Sequence, residues 1–409
     1  MYWASFLHIY QPPTQTEEIV LKVTNESYRK IVKILLDNPE GKFSFNINAS
    51  LTEQLIKYKL DDVIEGIGQL AERGQIEFTG SALYHPILPL IPDSEIERQI
   101  ELNTKVNKDV FGDIYNPVGF FPPEMCVSHH LAEVVKKMGF RWMICDELGY
   151  KGKVGTVKYD KIYEVEGLDD FYVFFNNRDV SSKLTFGLYP TITELKREVL
   201  NNVSENNYLL TGTDGEIYGH HRIGQEVLLK QVLEDPSIDL VKITSLVDLF
   251  KEREVVKVLD SSWSAWEYEL EDGVPFPQWN YPDNEIHKMQ WDLTYLVIDT
   301  LNKLDQKKVK NYETSRDLLD KGLHSCQWWW SSCRPWWNTY MIEMGAMQLY
   351  DAINIIKENI DLDTYNKAFQ LAHNIIDTSK YWHINGTASD LKAKYKSKVP
   401  AYFNELTFG

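Results

Sequence analysis

The chain has 409 residues, 43% of them hydrophobic and 25% charged. That supports a sizeable core in one large domain or two to three ordinary ones, and excludes a small module or a disordered polymer. Its 60 Asp and Glu against 43 Lys and Arg give a formal charge of -17, which repels polyphosphate and excludes nucleic acid as a partner.

The opening MYWASFLHIYQPP has no basic leader, and no apolar run approaches the roughly 18 residues of a membrane span. A cytoplasmic protein without a membrane partner is expected. From there to about residue 250, β-rich runs alternate with amphipathic stretches. The predicted strands are Trp3 to Ile9, Lys42 to Asn48, Gln75 to Leu83, Gly119 to Pro122, Trp142 to Cys145, Phe171 to Asn176 and Tyr208 to Thr213. The predicted helices between them cover Glu17 to Leu36, Thr52 to Arg73, Ser94 to Val110, His129 to Met138 and Thr191 to Val203. Repeated β then α predicts a parallel sheet with helices outside, either doubly wound or closed into a barrel. Neither GxGxxG nor GxxxxGK[ST] occurs, so no nucleotide cofactor is expected. Polar residues gather where the strands end, which favours the barrel.

After about residue 258 an aromatic, proline-bearing segment leads into helical periodicity, and three or four helices are predicted. One stripe runs through Ile286, Met289, Leu293, Leu296 and Leu304; another, through Met341, Met344, Met347 and Ile353, reads as core filler. Ten of the 12 tryptophans lie from Trp263 onward, which suits either an aromatic core or stacking surfaces for sugar rings. The cysteines Cys126, Cys145, Cys326 and Cys333 match no disulfide framework or zinc knuckle and read as reduced thiols.

Two segments carry candidate chemistry. In GFFPPEMCVS, two prolines fix the backbone before Glu124, which leaves a buried strand at a defined angle; the alternative is a helix cap near His129. In YLLTGTDGEIYGHH, Asp214 and Glu216 end an apolar strand two residues apart, on one face of an extended backbone; the alternative is an acidic turn. Paired carboxyls across a barrel mouth suit glycoside hydrolysis, one attacking the anomeric carbon and the other serving as acid and base. A like-charged neighbour such as Glu216 would raise the pKa of the acid. His8, His85, His220 and His221 near the strand ends, with Asp146 or Glu124, offer a metal site as the rival reading, although no HxH, HxxH or HExxH spacing links them. No metal is expected.

The ordered motifs LHIYQPP, GQIEFTGSALYHPILPLIP, FFPPEM, TGTDGEIYG and a tryptophan-rich helical segment resemble glycoside hydrolase family 57. The resemblance spans residues 3 to about 340 and implies a (β/α)7 barrel, a distorted TIM-like fold, over 1–258. A C-terminal α-helical bundle over 259–409 is then expected to close over the active site. It further implies retaining, metal-free chemistry on α-linked glucans, of the amylase or 4-α-glucanotransferase type, with Glu124 as nucleophile and Asp214 as acid/base. For retention the two carboxyls should stand about 5 to 5.5 Å apart. His8, Glu77 and His85 fall on sugar-contacting positions, Gln11 and Glu216 in the same motifs are likewise expected to bind substrate, and Arg178 and Asp179 resemble a polar segment that supports the substrate site. Trp263, Trp266, Trp329 and Trp330 are the expected sugar-stacking residues. Two positions depart from the family pattern: Tyr10 stands where a second His is usual, and HSCQWWW has Cys326 where an Asp is common. Other classes left open are a metal-dependent deacetylase- or α-mannosidase-type enzyme using His8 and His85, and a sugar-binding homologue without turnover.

Overall fold

Ten strands form one sheet in the computed structural model, which describes residues 1–204 and 206–399. They are β1 Tyr2–Ile9, β2 Phe43–Ile47, β3 Ile76–Gly80, β4 Gly119–Phe120, β5 Trp142–Asp146, β6 Ile162–Val165, β7 Tyr172–Asn176, β8 Tyr208–Asp214, β9 Asp239–Val241 and β10 Arg253–Val256. The seven expected strands are β1 to β5, β7 and β8, and they lie side by side as β8-β1-β2-β3-β4-β5-β7, all parallel. This is the order of a (β/α)7 barrel. The other three are only three or four residues long, and β9 and β10 are partly exposed, so no long apolar run announces them. β6 is antiparallel to β7 and carries β10, while β9 pairs with the first residues of β1. Among the described residues no ladder joins β7 to β8. The seam is bridged instead by Asn177 N–H to Leu210 O (2.7 Å) and Gly212 N–H to Ser181 Oγ (3.1 Å).

The two-residue period of the strands divides their side chains. Ala4, Phe6, Trp142, Ile144, Tyr172, Phe174, Tyr208 and Leu210 point inward and fill the barrel with Phe121 and Met125. Leu7, Ile9, Phe43, Phe45, Ile47, Ile76 and Phe78 point outward against helices. Following the inward rows to the carboxyl ends leads to His8, Asn46, Asp146, Asn176 and Asp214.

The helices fall between the strands, with adjustments. The expected helix from Glu17 contains a π-turn over Thr24–Tyr28. The one from Thr52 is two helices, Ala49–Lys57 and Asp61–Glu72, broken where Lys59 takes φ 56. Side-chain caps start several of them: Asn48 accepts from Ser50 N, Ser128 from Leu131 N and Asn177 from Val180 N, which satisfies otherwise orphaned donors. The division into units falls after Glu271, so Trp263 and Trp266 belong with the barrel.

The second unit, from Asp272, is helical: Glu285–Lys303, Tyr312–Gly322, Thr339–Asn354 and Leu362–Asn385 are its long helices. Its buried face corrects the expected methionine stripe. Ile342, Gly345, Ala346, Leu349 and Ile353 are buried, whereas Met341 and Met347 are half-buried and Met344 is exposed. Small residues occupy the closest approach; a Cβ at Gly345 would lie 2.7 Å from Gln327 Cγ.

Among the described residues no helix is long and apolar enough to cross a membrane. All four cysteines are free thiols.

Candidate active site

The barrel register builds the site. His8 on β1 stands opposite Asn46 on β2 and opposite Asp214 on β8, so all three share the inward layer at the carboxyl end. Asn46 donates through Nδ2 to Thr79 O and Oγ1 (3.2 and 3.1 Å), which turns its Oδ1 to His8 Nδ1 at 2.8 Å. His8 therefore carries its proton on Nδ1 and leaves Nε2 as an acceptor. Burial lowers its pKa to about 4, against the raising effect of Asn46, so the ring is neutral at neutral pH.

His85 lies beside it, in the left-handed region with φ 61. Its ring stacks on His8 (5.0 Å between centroids, 14°) and on Tyr10 (4.2 Å, 16°). Stacked rings direct their in-plane nitrogen lone pairs along parallel planes, which does not suit ligation of one ion by both. Among the described residues no group of three His, Cys, Asp or Glu side chains is disposed to hold a metal. Tyr10, at the position of the usual second His, thus extends an aromatic wall that continues through Phe121 to Trp263.

Glu124 follows β4 on a short turn in which Met125 N–H reaches Pro122 O and Cys126 N–H reaches Pro123 O. Glu124 and Met125 both adopt positive φ, 59 and 47, a conformation costing non-glycine residues on the order of 1 kcal/mol each. The helix His129–Lys137 is capped by Ser128, not by Glu124. The Glu124 carboxylate is half-buried, with Oε2 accepting from Trp263 Nε1 (2.9 Å) and Oε1 lying 3.7 Å from His85 Nδ1.

Asp214 ends β8. Its pKa is raised well above the usual range by burial, then by the charge of Glu216 and that of Glu124. Among the described residues it has no hydrogen-bond donor or cation to offset these effects. Beneath it, Gly212 leaves room for Met125, whose Cε would lie 2.6 Å from a Cβ there.

Glu216 and Gln11 lie behind this layer. Glu216 Oε1 accepts from Tyr28 Oη, from Tyr10 N (3.3 Å) and from Gln11 Nε2 (3.5 Å). Burial raises its pKa, while Tyr28 and the other donors pull it back. Gln11 is further committed to Tyr28 Oη and Gln15. Both residues support the site from within the protein instead of facing a sugar.

Other candidates stand elsewhere. Glu77 is at the amino end of β3, where it accepts from Ser44 Oγ (2.5 Å) and Thr244 N (3.1 Å). It anchors a helix at the far end of the barrel from His8, so the expected sugar contact is corrected. Asp179 is an exposed helix residue paired with Lys183 (2.8 Å), also outside the site. Arg178 is buried beside the carboxyl ends of β5 and β7: Nη1 meets Asp146 Oδ1 at 2.7 Å, Nη2 meets Ala265 O at 2.5 Å, and the guanidinium lies over Trp266 (5.3 Å). The Trp266 ring is thereby engaged on one face.

Trp329 and Trp330 belong to the second unit. Trp329 is half-buried and stacked on Trp336 (5.1 Å, 15°), while Trp330 is buried edge-on against His324. Trp330 is a core residue, which corrects its expected stacking role. Trp336 keeps an exposed ring.

The family model described as Glycosyl hydrolase family 57 matches residues 4–259, well over half the chain. The chain belongs to this family. Among family 57-type relatives by sequence, it is 27% identical over 147 residues to alpha-amylase 1 of Dictyoglomus thermophilum, covering 36% of this chain and 21% of that protein. It is 22% identical over 277 residues to an alpha-amylase of Pyrococcus horikoshii, covering 64% and 42%. The matches thus span between a fifth and two fifths of these curated relatives. Among solved structures, the fold resembles a GH57 branching enzyme of Thermococcus kodakaraensis, with TM-score 0.68, 13% identity, and 91% and 94% of the two chains covered. It also resembles a 4-alpha-glucanotransferase of Thermococcus litoralis, with TM-score 0.67, 17% identity, and 86% and 59% covered. At these identities the structures speak for the family 57 fold alone.

Proposed function

We propose that this family 57 chain is a retaining enzyme acting on α-linked glucans through a covalent glycosyl-enzyme, with Glu124 as nucleophile and Asp214 as acid/base. The observation that carries the reading is the asymmetry of the two carboxyls on one end of one barrel. Asp214 is half-buried, has no donor or counter-charge among the described residues and feels the charges of Glu216 and Glu124, which hold its proton, whereas Glu124, equally half-buried, takes an indole N–H. One is built to give a proton, the other to attack.

In the first step a Glu124 oxygen bonds to the anomeric carbon as the glycosidic C–O bond breaks, and the leaving oxygen takes the Asp214 proton. In the second, an acceptor hydroxyl attacks the same carbon, its proton passes to Asp214, and the Glu124 ester bond breaks. Water as acceptor gives hydrolysis, and a sugar hydroxyl gives transfer. His8 Nε2 would accept a hydrogen bond from a sugar hydroxyl, and the His8, His85 and Tyr10 wall would face the ring. The similarity to an alpha-amylase and a 4-alpha-glucanotransferase supports an α-glucan substrate.

Incubation with maltooligosaccharides of defined length tests the reading. Shortening indicates hydrolysis and simultaneous shortening and lengthening indicates transfer. Turnover of no α-glucan, or turnover undiminished in Glu124→Gln, would remove it.

A further inference from the structure

Trp263 lies beyond the residues that the family model matches, yet the fold aims it at Glu124. Two backbone bonds, Val127 N–H to Ser261 O (2.9 Å) and Ser261 N–H to Val127 O (3.2 Å), form an antiparallel bridge between the chain after Glu124 and the chain before Trp263. A third bond, Trp263 N–H to Glu124 O (3.4 Å), carries the pairing to the two residues themselves. Gly149 is part of the fit, since a Cβ there would stand 3.1 Å from Ser261 Oγ. The indole then has its edge on the carboxylate, Nε1 to Oε2 at 2.9 Å, with its ring tilted 6.0 Å from Phe121.

We propose that Trp263 is a positioning residue, whose indole N–H holds Oε2 of Glu124 in the ionised, attack-ready rotamer and presents Oε1 to the anomeric carbon. This rests on the assignment of Glu124 as nucleophile, and replaces the stacking role that its sequence context suggests. A backbone-zippered indole suits the task because its donor is fixed in direction, keeps its proton at every working pH and brings no positive charge to compete for the ion. The strained turn at Glu124 and Met125 is held from the same side by the same three bonds. The titratable groups facing Glu124 are His85 near Oε1, with neutral His8 stacked behind it, Asp214 on β8 and the neighbouring Cys126 thiol.

Two replacements separate the donor from the ring. Trp263→Phe removes both the N–H and part of the ring; β-(3-benzothienyl)alanine at position 263 keeps the bicyclic face and removes only the N–H. Both are compared with the unaltered chain for kcat and KM on one maltooligosaccharide across pH. The rate at which 5-fluoro-α-glucosyl fluoride labels Glu124 is followed by peptide mass spectrometry. A hydrogen bond to a charged group is worth about one to two orders of magnitude in rate. The benzothienyl chain should therefore lose about tenfold or more in kcat/KM, mostly in kcat, with an acid limb displaced upward by about one pH unit and slower labelling. If it matches the unaltered chain in all three while Trp263→Phe raises KM, stacking explains Trp263 and the proposal is overturned. Label landing on a residue other than Glu124 in the unaltered chain overturns the nucleophile assignment itself. Unchanged far-UV circular dichroism guards against misfolding, and the isostere carries the test if the Phe chain does not fold.

Discussion

Replacing Glu216 by Gln should move the alkaline limb of the pH–activity profile downward. Three donors converge on one Glu216 oxygen, from Tyr28, Tyr10 and Gln11, and favour the anion. Asp214, two residues away, is desolvated beside two negative neighbours and has, among the described residues, nothing to favour its own ionisation. In the pair, the charge therefore resides on Glu216 and the proton on Asp214. Glu216 lies on the 3-10 turn Gly215–Ile217 that follows β8, and a separation of about 7 Å, a little beyond direct charge pairing, is taken for the two carboxyls. At an effective dielectric of about 20, unit charges at that distance repel by about 2.4 kcal/mol, or at most about 1.7 pH units. Gln keeps an acceptor for Tyr28 and removes the charge, so Asp214 should lose its proton about 1 to 1.7 pH units earlier. The acid limb, set by Glu124, should stay in place. The assay is kcat/KM on a maltooligosaccharide from pH 4 to 9. An alkaline limb that stays fixed or moves upward would show that Glu216 does not act on Asp214 through charge.

Asp214→Asn should slow turnover of ordinary glucans by about a thousandfold or more but far less for α-glucosyl fluoride, whose leaving group needs little protonation; equal loss on both would contradict the acid role. Gly119→Ala should destabilise the barrel by about 3 kcal/mol, at the upper end for overpacking, because the new Cβ would lie 2.0 Å from the rigid Trp142 indole. Gly212→Ala should cost less, as it meets the flexible end of Met125; denaturant midpoints in the reverse order would refute the comparison. Burial lowers His8 and His287 to about 4 and His324 to about 3. The unfolded imidazoles take up protons near pH 6.5 while the folded ones do not. Stability from this source is therefore complete above about pH 6.5 and declines as pH falls toward 4, by up to about 1.4 kcal/mol per pH unit for each ring. His324→Phe should reduce that slope by one proton, measured as denaturant midpoint against pH, and an unaltered slope would count against it.

The parallel strands were legible because a strand buried on both faces is a continuous apolar run, and Glu124 and Asp214 because each follows such a run directly. Register was not legible. Glu77 and Glu124 look alike in sequence, yet one sits at the start of its strand and the other after the end of its own. Asn46, the lone amide inside FSFNI, carried a faint signal of an inward polar row. Tyr28 carried none, since a π-turn inserted into an ordinary amphipathic helix is what aims it at Glu216. The methionine stripe misled because close helix approach selects small side chains, which hydrophobicity alone ranks low.

The open seam between β7 and β8 has a consequence for engineering. Among the described residues Asp214 is aligned laterally by the ladder to β1 that ends at His8, while β8 meets the other side through scattered bonds, such as Asn177 N–H to Leu210 O, Gly212 N–H to Ser181 Oγ and Tyr208 N–H to Tyr159 O. The stretch between those strands is therefore the natural place to graft a longer excursion or an inserted module, because such a change leaves the acid's alignment with His8 untouched. The same insertion between β1 and β2 would fall in the stretch that brings Tyr10, Gln11 and Tyr28 to Glu216.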